Sequence, residues 1–144
     1  MKGSKIYIAS SWKNKDAVIS LAKYLRFDNN EVDCFCETRL GRYVFHWCEI
    51  GDLSEIDAMS FLEDKRSQKA FAEDKKWLDW ADIIVLLLPC GNSSHLEAGY
   101  AKGKGKKLYI LGLFPKGEFD VMYGFADKLI HLDNISELKE LLTQ

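Results

Sequence analysis

Two carboxylates and two polar turns carry the chemistry this chain can offer. Glu97 follows the apolar run Ile83-Ile84-Val85-Leu86-Leu87-Leu88 and the stop Pro89-Cys90-Gly91. Six apolar residues in a row read as a strand covered on both faces, and Pro89 and Gly91 end it. Ser93 or Ser94 is placed to cap a following helix. That puts Glu97 in the helix's first turn, above the carboxyl end of the strand, the edge where open α/β sheets bind ligands. A carboxylate there can do acid, base or nucleophilic work if a second titratable group stands near it. Asp74 is the candidate partner, because it lies four residues before Leu78 and shares its helix face. Both acids also have structural readings. Ser94-x-x-Glu97 has the spacing of a capping box, in which the glutamate only ties back to the cap. Asp74 can equally be a solvated acid in a charged helix, as Asp79 is expected to be, with Asp82 structural.

The turn Gly91-Asn92-Ser93-Ser94 offers backbone N–H groups and hydroxyls at a helix N-terminus, an arrangement suited to phosphate or sugar oxygens. The turn Ser10-Ser11-Trp12-Lys13-Asn14 follows the first strand and should open on the same sheet edge, where Trp12 either stacks on a base or packs. Gly103-x-Gly105 follows a helix instead of joining strand to helix, so it is not a phosphate loop. His46, His95 and His131 form no recognisable triad with a serine or cysteine, and His95 is expected to turn away from Glu97. Cys34 and Cys36 are two apart, poor spacing for structural zinc, and with Cys48 and Cys90 they read as reduced, mostly buried thiols. No metal is expected.

These groups need a frame. Strand patterns fall at residues 5–9, 31–36, 83–88, 108–113 and 128–132. Residues 16–26 carry an apolar stripe at helical spacing, and one long or two short helices are expected between residues 54 and 81. A further helix carries Glu97 and ends at Gly103-Lys104-Gly105. Gly99 is expected to let that helix pack closely on the strand. Residues 119–126 read as a short helix or loop, and Asn134 or Ser136 as the cap of a final helix. The aromatic segment Tyr43-Val44-Phe45-His46-Trp47 is either a short strand or a loop over the pocket. Strands alternating with helices imply a single Rossmann-like or flavodoxin-like α/β domain over residues 1–144, its mostly parallel five-stranded sheet flanked by helices.

Bulk properties exclude several classes. With 144 residues, 47% hydrophobic and 29% charged, the chain suits one domain with a substantial core. A net charge of -2 gives no basic field for a nucleic acid polymer or an anionic membrane. No apolar run is long enough to span a bilayer, and the N-terminus lacks a signal-peptide pattern, so the cytoplasm is the expected setting.

Three segments together resemble the nucleoside 2-deoxyribosyltransferase-like superfamily, which includes the 2'-deoxynucleoside 5'-phosphate N-hydrolases. They are Lys5-Ile6-Tyr7-Ile8-Ala9-Ser10-Ser11, Asp74-x-x-Trp77-Leu78-x-x-Ala81-Asp82, and Ser93-Ser94-His95-Leu96-Glu97-Ala98-Gly99-Tyr100-Ala101 followed by Gly105-Lys106-Lys107. With the tail Val121-Met122-Tyr123 they span most of the domain, while residues 38–71 match poorly. The resemblance implies that Glu97 is a nucleophile at an anomeric carbon and that Asp74 binds and protonates the leaving base. It places Tyr7, Ser10, Ser11 and Trp12, the turn Gly91, Asn92, Ser93 and Ser94, and Asp120 and Met122 around the substrate. It implies a small nucleoside or nucleotide substrate, no cofactor, and a homodimer or larger assembly with a shared active site. Two positions depart from the family pattern. Gly91 stands where the transferases tend to carry aspartate and the nucleotide hydrolases serine. Asp120 stands where an asparagine or serine often enters from a neighbouring subunit, and a carboxylate there disfavours a 5'-phosphate. Transferase and hydrolase both stay open. So do a TIR-like NAD-cleaving domain, which also places a glutamate at a sheet edge, and a non-catalytic nucleotide-binding module in which Glu97 only caps.

Overall fold

The computed structural model describes residues 3–46 and 49–143. Strands β1 (Lys5–Ala9), β2 (Glu31–Cys34), β3 (Ile83–Leu87), β4 (Lys107–Gly112) and β5 (Lys128–His131) form one sheet in the order β2-β1-β3-β4-β5. Every neighbouring pair is parallel. Among the described residues the α-helices are α1 (Lys15–Leu25), α2 (Ala58–Glu63), α3 (Lys65–Trp80), α4 (Asn92–Gly103) and α5 (Ser136–Leu142). This is the flavodoxin-like α/β class, whose strand order reverses between β1 and β3 and opens a crevice at their carboxyl ends.

Strand alternation builds both faces. Ile6, Ile8, Val32, Ile83, Val85, Leu87 and Leu111 pack with Val18, Leu21 and Leu25 of α1 and with Leu138 and Leu142 of α5. Tyr7, Ala9, Ile84, Leu86, Leu108 and Ile110 pack on the opposite side with Trp77 and Leu78 of α3 and Ala98 and Ala101 of α4. Burial on both sides is why β3 reads as an unbroken apolar run. No helix among the described residues is long and apolar enough to cross a membrane.

Several local expectations are corrected, and two open alternatives are decided. Strand β2 stops at Cys34, and Phe35 and Cys36 form a turn. Between residues 57 and 80 there are two helices because Asp64 adopts an extended backbone and its carboxylate accepts from Arg66 N at 2.8 Å, which caps α3. Asp57 caps α2 in the same way, accepting from Ser60 N at 2.8 Å. Residues 43–46 are irregular, so the aromatic segment is a loop; Trp47 and Cys48 lie outside the described residues. At α5 neither Asn134 nor Ser136 is the cap: Ile135 holds that position after the 3-10 turn Leu132–Asn134.

Helix α4 differs most from expectation. Gly91, not Ser93 or Ser94, occupies its N-cap, so Glu97 falls in the second turn. Gly99 is exposed, and no atom outside its own helix turn lies within 4 Å of where its Cβ would stand. The close approach to the sheet comes instead from the small buried side chains of Ser94, Ala98 and Ala101. The helix does end through glycine: Gly105 has φ +85°, and Lys106 N donates to Ala101 O at 3.1 Å.

Candidate active site

Ser94, Ala98 and Ala101 turn toward the sheet, and Glu97, three residues after Ser94, shares that face. Its carboxylate accepts a hydrogen bond from the hydroxyl of Tyr7 in β1. The tyrosine is 1% exposed and sits in a row across the sheet, with Asp33 of β2 on one side and Ile84 of β3 on the other. No capping box forms, because the cap is Gly91 and the glutamate is engaged by a strand 90 positions away in sequence. Burial pushes the Glu97 carboxyl up to about 7; the charge of Asp74 adds to this, while the Tyr7 hydrogen bond and Arg42 act against it. Burial also raises the Tyr7 hydroxyl well above its ordinary value, and the Glu97 charge adds to that, so the phenol stays a donor.

Asp74 lies on α3 one turn before Leu78, on the shared face expected of it. Its Oδ1 accepts from Arg42 Nη2 at 2.7 Å. Burial raises its carboxyl, against the opposing pull of that guanidinium. Arg42 is itself 3% exposed, and its Nε donates to the Cys34 carbonyl at 3.2 Å and stands 3.4 Å from Asp33 Oδ1. Its Cζ lies 5.9 Å from the centroid of the Tyr7 ring. Three carboxyl groups and one phenol are thus gathered around a single guanidinium. Asp79, by contrast, is exposed and bonded to Lys75 and Tyr100, as a surface acid should be.

Beside Asp74 lies a small cavity of about 40 Å³, lined by Trp12, Phe35, Tyr43, Phe45, Ala70 and Asp74. Trp12 meets Phe35 edge-on at 5.0 Å and His46 at 5.7 Å. Lys69 of α3 sits 4.0 Å over the Tyr43 ring and pins the loop to the helix. Its aromatic walls offer ring faces beside the Asp74 carboxyl, but at this volume the slot is smaller than a nucleobase.

The two edge turns are knitted together. Ser10 Oγ donates to Leu87 O at 2.8 Å, and Asn14 Nδ2 donates to Pro89 O at 2.9 Å. Ser11 Oγ accepts from Lys13 N at 3.3 Å. Gly91, Asn92 and Ser93 are exposed at the start of α4, where first-turn N–H groups have no partner inside the helix, whereas Ser94 is buried. His95 is turned away from Glu97: its Nδ1 pairs with Gly91 O at 2.8 Å and its ring stacks on Tyr123.

Asp120 and Met122 do not join the carboxylates in this chain. Both are exposed, with Asp120 Oδ1 capping Met122 N at 2.8 Å. They line a separate, broad groove of about 1260 Å³ together with Cys90, Asn92 and His95, and Tyr7, Asp74 and Glu97 are not among its lining residues. Among the described residues, no group of three or more His, Cys, Asp or Glu side chains is arranged to hold a metal ion.

Sequence reasoning missed Arg42 and Asp33. One signal pointed to them: Asp33 sits inside the strand pattern Val32-Asp33-Cys34 of a sheet covered on both faces, and a buried carboxylate calls for a nearby cation. Nothing in the sequence said which arginine would supply it.

The fold and site can now be set beside known proteins. No family model matches the chain, and no curated protein matches it significantly by sequence. Among solved structures, the chain is similar to the CMP N-glycosidase BcmB of Clostridium botulinum, with a TM-score of 0.58 and 15% identity over 97% of this chain and 99% of that one. The likeness is one of fold: a single α/β domain with the same overall course.

Proposed function

We propose that this protein cleaves the N-glycosidic bond of a nucleoside or nucleotide, with Glu97 as nucleophile and Asp74 at the leaving base. The observation that carries the reading is Glu97 itself, a half-buried carboxylate held by the Tyr7 hydroxyl and close enough to Asp74 to feel its charge, beside an aromatic slot. The fold-level similarity to a protein named as a CMP N-glycosidase supports it.

The chemistry follows from the arrangement. A sugar seated over the β1–β3 edge presents its anomeric carbon to the Glu97 carboxylate, and the base lies against the aromatic wall of Trp12, Phe35, Tyr43 and Phe45, which must open to take it. As the C1'–N bond lengthens, positive charge grows on the sugar and Glu97 captures C1'. The base leaves with the bond's electron pair and takes a proton from Asp74. Water then attacks C1' and gives its proton to the Asp74 carboxylate, so the C1'–O bond to Glu97 breaks, the sugar leaves and both carboxyl groups are restored; if the nitrogen of a second base attacks instead, the outcome is transfer. The first-turn N–H groups of Asn92 and Ser93 are placed to receive a 5'-phosphate or a sugar hydroxyl. Asp120 and Met122 border a face that exposes Leu113, Phe119, Val121 and Phe125. A homodimer or larger assembly that covers this face can bring those residues to a neighbour's site. Sedimentation reads the assembly state directly.

The test is a substrate panel of CMP, dCMP, other ribo- and deoxynucleoside monophosphates, the free nucleosides and NAD, each with and without an added free base. Released base is followed by chromatography. Release without an acceptor identifies a hydrolase, and exchange only with an acceptor identifies a transferase. Release of nicotinamide alone supports the NAD-cleaving reading instead. Binding without turnover leaves a non-catalytic module.

A further inference from the structure

Asp33 stands in a sheet row with Tyr7, Ile84 and Leu108, a position whose other occupants make the apolar floor under α3 and α4. It is 1% exposed, and neither carboxylate oxygen has a hydrogen-bond donor among the described residues. Burying an acid in this way opposes folding, and an apolar residue would complete the floor more favourably. Among the described residues the cation paired with it is Arg42, whose Nε lies 3.4 Å away and is also tied to the Cys34 carbonyl, while the charge of Arg26 acts on it more weakly. The other end of that guanidinium grips Asp74 at 2.7 Å. Asp33 and Cys34 therefore hold one side of the guanidinium and Asp74 occupies the other.

Arg42 enters from the loop over the sheet edge and is closed off from solvent, while the Asp74 side chain remains 43% exposed beside the aromatic slot. With Oδ1 bonded to Arg42, the second oxygen of Asp74 is the one left for a ligand against the aromatic wall.

We propose that Arg42 is a positioning residue for leaving-group departure: anchored by Asp33 and the Cys34 carbonyl, it orients the Asp74 carboxyl toward the base. It does not touch the sugar, and its effect reaches the reaction through Asp74. This inference rests on the proposed glycosidic cleavage and assigns a role inside it. Bond breaking at a natural base needs the proton that Asp74 delivers, whereas a good leaving group departs without one. The two substrate types therefore separate a positioning role from general damage to the fold.

The experiment compares CMP, or whichever nucleotide of the panel reacts fastest, with the matching 4-nitrophenyl riboside 5-phosphate, whose phenolate leaves unprotonated. Wild type is measured beside Arg42→Gln and Arg42→Lys. Arg42→Gln should lose ~10²-fold in kcat on the nucleotide, the scale of a general-acid contribution, and only about threefold on the nitrophenyl substrate. Arg42→Lys, which keeps the charge but not the fork, should fall between. Equal losses on the two substrates, or no loss on the nucleotide, overturn the proposal. If Arg42→Gln does not fold because Asp33 is left uncompensated, the double variant Asp33→Asn/Arg42→Gln removes both charges and is read in the same way. If wild type cleaves nothing, the proposed function fails, and a titration of carbon-13-labelled aspartate still tests the contact. The Asp74 signal, assigned with Asp74→Asn, should titrate at higher pH in Arg42→Gln than in wild type, and an unchanged titration overturns the proposed contact.

Discussion

Glu97 owes its character to two neighbours and to burial. The Tyr7 hydroxyl favours its charged form, while burial and the charge of Asp74 favour the neutral one, and the balance lies at about 7. The proposed role as nucleophile requires Glu97 to be ionised, so turnover should rise with pH through about 7 on its acid limb. Tyr7→Phe removes the donor. It should lower kcat by ~10-fold to ~100-fold, the worth of one hydrogen bond to a charged group, and move the acid limb to higher pH because the carboxylate loses its stabiliser. A pH–rate profile of the variant checks both effects; an unmoved limb would mean that the Tyr7 bond does not tune Glu97. The positions of Glu97 and Asp74 were legible in the sequence, one on a helix after a strand and the other on the helix face of Leu78. Arg42 stayed hidden because it reaches the site from an irregular loop, where no periodicity says which side chain points inward.

Helix α4 decides where Glu97 stands. Its height above the sheet is set by Ser94, Ala98 and Ala101, not by Gly99, which faces solvent. Gly99→Ala should therefore be tolerated and raise stability by up to about 1 kcal/mol through better helix propensity. Ala98→Leu should cost about 1–3 kcal/mol by overpacking and should lift Glu97 from Tyr7, with a matching loss of activity. Urea denaturation of the two variants measures the contrast; equal tolerance of both would show that α4 does not rest on its alanines. The strands were legible because both-face burial leaves uninterrupted apolar runs, and the end of α4 because glycine marked it. The start of α4 was misread because Ser93 and Ser94 look like caps in sequence, whereas Gly91 adopts the extended backbone that begins the helix. Residues 38–56 were the least legible stretch, since short 3-10 turns such as Arg39–Gly41 and Leu53–Glu55 carry no hydrophobic period.

For the molecule entire, the clustered acids tie stability to pH. Asp33 and Glu97 both titrate at about 7 in the folded chain, against about 4 for free carboxyls. Their folded values are raised, so the native state holds protons that the unfolded chain has released. Their contribution to stability is present in full below pH ~4 and is lost as pH rises through about 7. Calorimetry from pH 5 to 8 should show Tm falling with pH, and Glu97→Gln should flatten the slope; an unchanged slope would mean Glu97 is not buried as described. The doubly wound sheet makes this cluster possible. It brings α4, α3, β1, β2 and the loop bearing Arg42 to one edge, so groups between Tyr7 and Glu97 in the chain become neighbours.

The central claim is that Glu97 attacks an N-glycosidic bond. The most direct measurement is free base released by wild type and by Glu97→Gln from the nucleotide panel at pH 7.5, with the fold of each confirmed by circular dichroism. Attack by Glu97, as proposed, predicts steady release by wild type and a loss of ~10⁴-fold or more in the glutamine variant with its fold unchanged. No release from any substrate, or equal rates for the two proteins, would contradict it.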